Sequence, residues 1–242
     1  AEVLRKEPRK VQAWTGRGLT RYARAQAEER RGRDAEPPLL LAEADLKEGA
    51  RRRDPTAFYW LGLVRAELGR FREAIETLQA YARALPAEAA EAEARIADVR
   101  RARDRALDRG RERVADGVRA LGAGDADTAR TGFERGLERL TQTLAEFPED
   151  ERTRRAGEPG VVDARMQAHV GLARLAARRA ERETDAGRRG EERERALSHL
   201  EAAAGLGPVD AARLEAEPDL AGVRGDARFR ALLERGTKED GR

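Results

Sequence analysis

Apolar residues recur every three or four positions through most of the chain, the spacing that lays them along one face of an α-helix. The pattern is clearest in residues 57–86, AFYWLGLVRAELGRFREAIETLQAYARALP. Phe58, Leu61 and Gly62 share one stripe, and Phe71, Ala74, Ile75 and Leu78 share a second. Gly69 separates the two and suits the positive φ that ends a helix. Pro86 punctuates the exit. A glycine inside a helix costs about 1 kcal/mol relative to alanine. Gly62 is therefore expected, with Ala74, where two helix backbones approach closely. The stretch predicts a helical hairpin.

The scheme recurs. Upstream, PRKVQAWTGRGLTRYARA carries Pro8, Trp14 and Gly18, and PLLLAEADLKEGARRRD carries Leu46 and Gly49, with Pro55 after it. The segment between them, ERRGRDAEPP, is long for a turn. Downstream, VADGVRALGAGDADTARTGFERGLERL repeats the scheme with Gly117, Gly124, Ala129, Phe133 and Gly136. A looser copy pairs Gly171 in AHVGLARLAARRA with Ala196, Leu200, Ala203 and Pro208 in ERERALSHLEAAAGLGP, across an expanded ERETDAGRRGE. Between the second and third copies, Ile96, Val99, Ala102, Ala106, Gly110, Val114, Val118 and Leu121 step by three or four. They predict one long helix, or two broken near Gly110; the continuous form is favoured, with a boundary between two halves within 104–110. Residues 147–162, FPEDERTRRAGEPGVV, read as a flexible loop. Asp226 is placed to cap a last helix with Phe229, Leu232 and Leu233 on its apolar stripe.

Residues Phe58, Leu61, Gly62, Gly69, Ala74, Leu78 and Pro86 resemble the signature of the tetratricopeptide repeat (TPR) family, and Pro8 to Trp14 matches its spacing across a repeat junction. Arg65 departs from it where a tyrosine is usual, and Tyr81 where an alanine is usual. The resemblance covers most of residues 1–208. It implies an all-α, TPR-like solenoid of helical hairpins with about four irregular repeats. The expected halves are 1–106 and 107–242, the second closed by a capping segment at 209–236. EAEPDLAGVRGDARFRALLERG, and AWTGRGL near the start, are similar to the C-terminal TPR regions of bacterial serine/threonine protein kinases. That likeness implies a place within a larger bacterial signalling protein.

Composition sharpens the picture. Hydrophobic residues make up 40% but aromatics only 4%, so alanine, leucine and valine must fill the core. The 49 basic and 46 acidic side chains nearly cancel, leaving a formal charge of +3. In RRAERETDAGRRGEERERA they interleave as on a wet helical face. A nucleic-acid surface would cluster positive charge on one side. Arginine far exceeds lysine and asparagine is absent, a skew that fits GC-rich bacterial coding. With no cysteine there are no disulfides and no thiolate metal sites. No apolar run reaches transmembrane length and no signal peptide is visible, so a cytoplasmic location is expected. AEVLRKEPRKVQAW reads as the end of one helix running into the next, as in a chain whose natural start lies upstream.

Candidate chemistry is sparse. No glycine precedes any of Lys6, Lys10, Lys47 or Lys238, so a phosphate-binding Gly-Lys-Ser/Thr loop is absent, as are the kinase catalytic motifs. Asp125 and Asp127 begin like a calcium loop, but its distal ligand position holds Gly136, so a helix turn capped by Asp127 or Thr128 is expected. His169 and His199 lie on different predicted helices. No catalytic residue, metal or cofactor is expected.

The TPR resemblance implies that first helices line a concave groove. The groove residues would be Thr15, Leu19 and Tyr22; Tyr59, Trp60 and Leu63; Val114, Val118 and Leu121; and Arg165, His169 and Leu172. Tyr59 and Trp60 have the character of interface anchors, unless Trp60 packs against a neighbouring repeat. Lysines and asparagines that grip a peptide carboxylate in one TPR subclass are missing from these positions. The expected function is a non-catalytic protein–protein interaction scaffold that binds a partner peptide or helix. The alternative is an arginine-rich helical-repeat nucleic-acid-binding protein, and pairing between copies of the chain is a further possibility.

Overall fold

A computed structural model describes residues 11–239; Pro8, expected at a repeat junction, lies outside them. Among the described residues every regular element is helical and there is no strand. The α-helices are α1 (Val11–Arg30), α2 (Glu36–Arg51), α3 (Pro55–Glu67), α4 (Phe71–Ala84), α5 (Ala89–Gly122) and α6 (Ala126–Ala145). They continue with α7 (Glu149–Ala156), α8 (Pro159–Arg182), α9 (Ala186–Ala204), α10 (Ala211–Ala216) and α11 (Ala227–Glu239). Two 3-10 turns, Pro86–Glu88 and Pro218–Val223, complete the set. The chain forms two compact units. One runs to Arg105 and takes in Glu146–Pro148; the other comprises Ala106–Ala145 and continues from Glu149.

In the first unit α1 packs on α2, α2 on α3 and α3 on α4. Two of these contacts use the same device. A Cβ built on Gly18 would stand 2.6 Å from Leu46 Cγ, and one on Gly62 would stand 2.7 Å from Leu78 Cγ. In each case the carbonyl four residues before that leucine, of Ala42 or Ala74, lies 3.4 Å away. Gly69 turns the chain between α3 and α4 at φ +76°. Arg65, where the repeat pattern has tyrosine, is nearly buried, and its guanidinium reaches Glu43 at 3.3 Å, Glu73 at 3.1 Å and Thr77 Oγ1 at 2.6 Å. Glu43 also accepts from Arg70 at 2.6 Å. A charged net thus ties α2 to α3 and α4. Losing one partner of such a buried pair is costly because the other charge stays desolvated.

In the second unit glycines meet glycines. A Cβ on Gly132 would fall 2.8 Å from Gly117 Cα, and one on Gly136 3.1 Å from Val114 N. Gly110 lies under Leu140, and Gly117 under Phe133 with Ala129 O at 3.1 Å. Helix α5 is continuous through Gly110 because the missing side chain makes room for a neighbour; it does not mark a break. Gly171 of α8 lies under Phe133 of α6, not under Ala196 or Leu200 as the fourth copy implied. Helices α8 and α9 pack instead through Ala173, Ala177, Ala196, Leu200 and Ala203. Phe229 and Leu232 of α11 close that core, with Asp226 Oδ1 accepting from Arg228 N at 2.8 Å.

Three connections differ from expectation. Residues 149–156 form α7, whose acidic first turn and basic last turn complement the helix dipole. Its Arg155 also pairs with Glu158 at 3.0 Å. The expanded segment near residue 185 is absorbed into α8 and α9, and Asp185 caps α9 by accepting from Arg188 N at 2.8 Å. Asp125, not Asp127 or Thr128, caps α6 through Thr128 N at 3.0 Å. No helix among the described residues is long and apolar enough to cross a membrane.

Two glycine substitutions test the packing. Gly132→Ala meets only backbone atoms and should cost about 1–3 kcal/mol in chemical denaturation. Gly190→Ala, on α9 with nothing within 4 Å, should stabilise by up to about 1 kcal/mol. A gain at Gly132 would contradict the close approach.

Candidate functional site

The second unit holds a half-open pocket of about 370 Å³ with an apolar floor. Val118 and Leu121 of α5 and Phe133 of α6 form one side; Met166 and Val170 of α8 form the next. Val209 and Leu214, from α10 and the residues before it, form the far wall. The floor exists because glycines flank Phe133: a Cβ on Gly171 would stand 2.3 Å from its ring, and one on Gly117 2.8 Å. Val118 remains 44% exposed, an apolar side chain facing water at the mouth. Such a surface gains by being covered.

Charges hold the far wall and rim the opening. Arg174 of α8 reaches Asp219 at 2.7 Å and Glu217 at 3.0 Å, and Arg178 also donates to Asp219. This clamps the 3-10 turn after α10 onto α8. Burial opposes the Asp219 charge, but the hydrogen bonds from Arg178 and Arg174 outweigh it and hold the carboxyl below its ordinary value. Asp210 caps α10 by accepting from Arg213 N at 2.9 Å, leaving the Arg213 side chain exposed at the rim. The arrangement suits an apolar side chain flanked by polar groups. Among the described residues no group of three or more His, Asp or Glu side chains is gathered to hold a metal ion.

The expected groove residues fall into several places. Val118 and Leu121 line the pocket, whereas Val114 is fully buried against α6. Leu172 is buried. Arg165 and His169 do not line the pocket; the pocket stripe of α8 is Met166, Val170 and Arg174. These three recur at i, i+4 and i+8, and Met166 is the sole methionine, which is the signal that could have found them. The far wall lies beyond the last repeat-like copy, so no repeat position pointed to it.

His169 faces α9, its Nδ1 3.2 Å from His199 Nδ1. At that distance one ring donates and the other accepts, so the pair cannot be doubly protonated without setting two N–H groups against each other. Burial, then His199 and Arg165, pushes His169 down to about 4, and burial also lowers His199.

In the first unit Thr15 and Tyr22 are buried. Thr15 Oγ1 donates to Asp54 at 2.5 Å and Tyr22 Oη to Glu67 at 2.5 Å. Burial and Glu67 hold the Tyr22 phenol above its usual range. Trp60 stacks against Tyr22 of α1 with ring centroids 5.8 Å apart, and against Tyr59 at 5.4 Å, edge to face. Tyr59 in turn contacts Tyr81 at 5.2 Å and donates to Glu91 at 2.9 Å. Trp60 therefore packs between hairpins. Leu19 and Leu63 are half-buried.

The histidine pair sets a pH dependence. Between about 4 and the ordinary value of 6.5 the unfolded chain binds more protons than the folded one. The pair's contribution is complete above that window and is lost as pH falls through it. Thermal melts from pH 7 to 4.5 should therefore fall more steeply for the natural protein than for His169→Gln/His199→Gln; parallel curves would contradict the assignment. No protein-family model and no curated protein matches the chain.

Proposed function

We propose that this chain is a non-catalytic, TPR-like helical-repeat scaffold that binds a segment of a partner protein in the apolar pocket of its second unit. The observation that carries the repeat reading is one contact made three times. Gly18 meets Leu46 beside Ala42 O; Gly62 meets Leu78 beside Ala74 O; Gly117 meets Phe133 beside Ala129 O. Stacked hairpins of this kind present first helices side by side, and α5 and α8 both contribute to the pocket. A bulky apolar side chain on a helix or extended peptide would cover Val118, Met166 and Val170, with polar neighbours meeting the charged rim. Many surface arginines are engaged by carboxylates three or four residues away, as Arg119 is by Asp116, which favours a peptide over nucleic acid for the chain as a whole.

Peptides selected from a random library on the purified protein test this reading. Binding measured by calorimetry should weaken about tenfold or more in Val118→Glu, which places a charge at an apolar mouth. Val118 already meets water, so the variant should retain its helical circular dichroism and melting temperature. Undiminished binding by a folded Val118→Glu protein would remove the pocket from the proposal.

A further inference from the structure

The glycine contact between α5 and α6 brings a second surface into being. Gly110 lies opposite Leu140, Val114 opposite Gly136, and Gly117 opposite Gly132 and Phe133, so the helices run antiparallel with backbones almost touching. This register sets Arg109 beside Arg139 and Arg113 beside Arg135. The two tiers are four residues apart on each helix, about 6 Å along the axis. Arg113, Arg135, Thr128 and Thr131 line a furrow there, with a volume of about 360 Å³.

Among the described residues none of these four guanidinium groups has a hydrogen-bonding or ion-pair partner. Asp108, Asp116 and Asp127 are each engaged by an arginine three residues along their own helix, Arg111, Arg119 and Arg130. Glu138 accepts from Gln142 at 3.0 Å, and Glu112 pairs with neither flanking tier. Burial, then the nearby charges of Arg109 and Arg113, holds the Arg139 guanidinium below its ordinary value. The two arginine tiers set by the helix register thus have no carboxylate paired to them among the described residues, although Asp116 and Asp127 also line the furrow.

We propose that the α5–α6 furrow docks an acidic peptide segment of a protein partner, with one carboxylate bridging Arg109 and Arg139 and another bridging Arg113 and Arg135. Two acidic residues at i and i+4 on a helix, or i and i+2 on an extended strand, stand about 6–7 Å apart and match the tiers. Asp116 and Asp127 close one end of the furrow. A nucleic acid, whose affinity rests on roughly 6–10 phosphate contacts, would run onto those carboxylates. The furrow is distinct from the apolar pocket, since Val118 lies about 140° around α5 from Arg113. Failure of one assignment leaves the other standing.

The probe is a rhodamine-labelled ten-residue peptide of alternating glutamate and alanine, read by fluorescence anisotropy on the whole chain. Arg113→Gln/Arg135→Gln and Arg109→Gln/Arg139→Gln should each weaken its binding about three- to tenfold, as expected for two exposed charge pairs. Arg182→Gln/Arg193→Gln, elsewhere on the surface, should leave it within about twofold. Arg113→Lys/Arg135→Lys keeps the charge and should bind more tightly than the glutamine pair. Equal losses from the distant pair, or no loss from either furrow pair, would overturn the proposal. So would tighter binding of a ten-nucleotide single-stranded DNA through the same four arginines.

Discussion

Two helix backbones can touch only where side chains are missing, and the second unit is organised around one such place. Phe133 lies against Gly117 of α5 and Gly171 of α8, and Gly132 beside it lies against Gly117 itself. No Cβ fits at any of these glycines without displacing the ring or the backbone. The glycines cost helix propensity, and the closeness of packing they permit offsets it. From that contact follow the buried ring that floors the pocket and the register that aligns the arginines of α5 and α6.

The first unit meets a similar demand with charge. Leu46 and Leu78 nest into Gly18 and Gly62 as Phe133 nests into Gly117, but the space between α2 and the next hairpin is filled by Arg65, Glu43, Arg70 and Thr77. Asp45 adds a second buried carboxylate, held by Arg17 at 2.5 Å and Arg21 at 2.8 Å. With so few aromatic residues in the chain, paired and fully hydrogen-bonded charges occupy volume that larger apolar side chains would otherwise fill. Their geometry also fixes how adjacent hairpins align, because a shifted register would strand a buried charge.

The helical character and the glycine contacts were legible in the sequence because both follow from short-range spacing. Gly62 with Ala74 and Leu78 could be read from one hairpin, and the recurrence at Gly117, Ala129 and Phe133 supported it. The facing of α8 could not be read that way. Gly171 packs under Phe133 whereas Gly62 packs under Leu78, and the α8 residues that line the pocket include Met166, Val170 and Arg174 but not Arg165, His169 or Leu172. The pocket's far wall depends on a long-range clamp, Asp219 with Arg174 and Arg178, which no local pattern announces. Residues 149–156 misled for the opposite reason: proline and glycine flank them, but their charges are ordered to favour a short helix.

The most direct test of the central contact is a double-mutant cycle between Gly171→Ala and Phe133→Leu, followed by chemical denaturation. Leucine lacks the ring atoms that a Cβ at position 171 would strike, so the cost of Gly171→Ala should shrink markedly in the Phe133→Leu background, with a coupling of about 0.5–3 kcal/mol. Costs that add to within about 0.5 kcal/mol would show that the ring and the glycine do not meet, and the account built on their contact would be wrong.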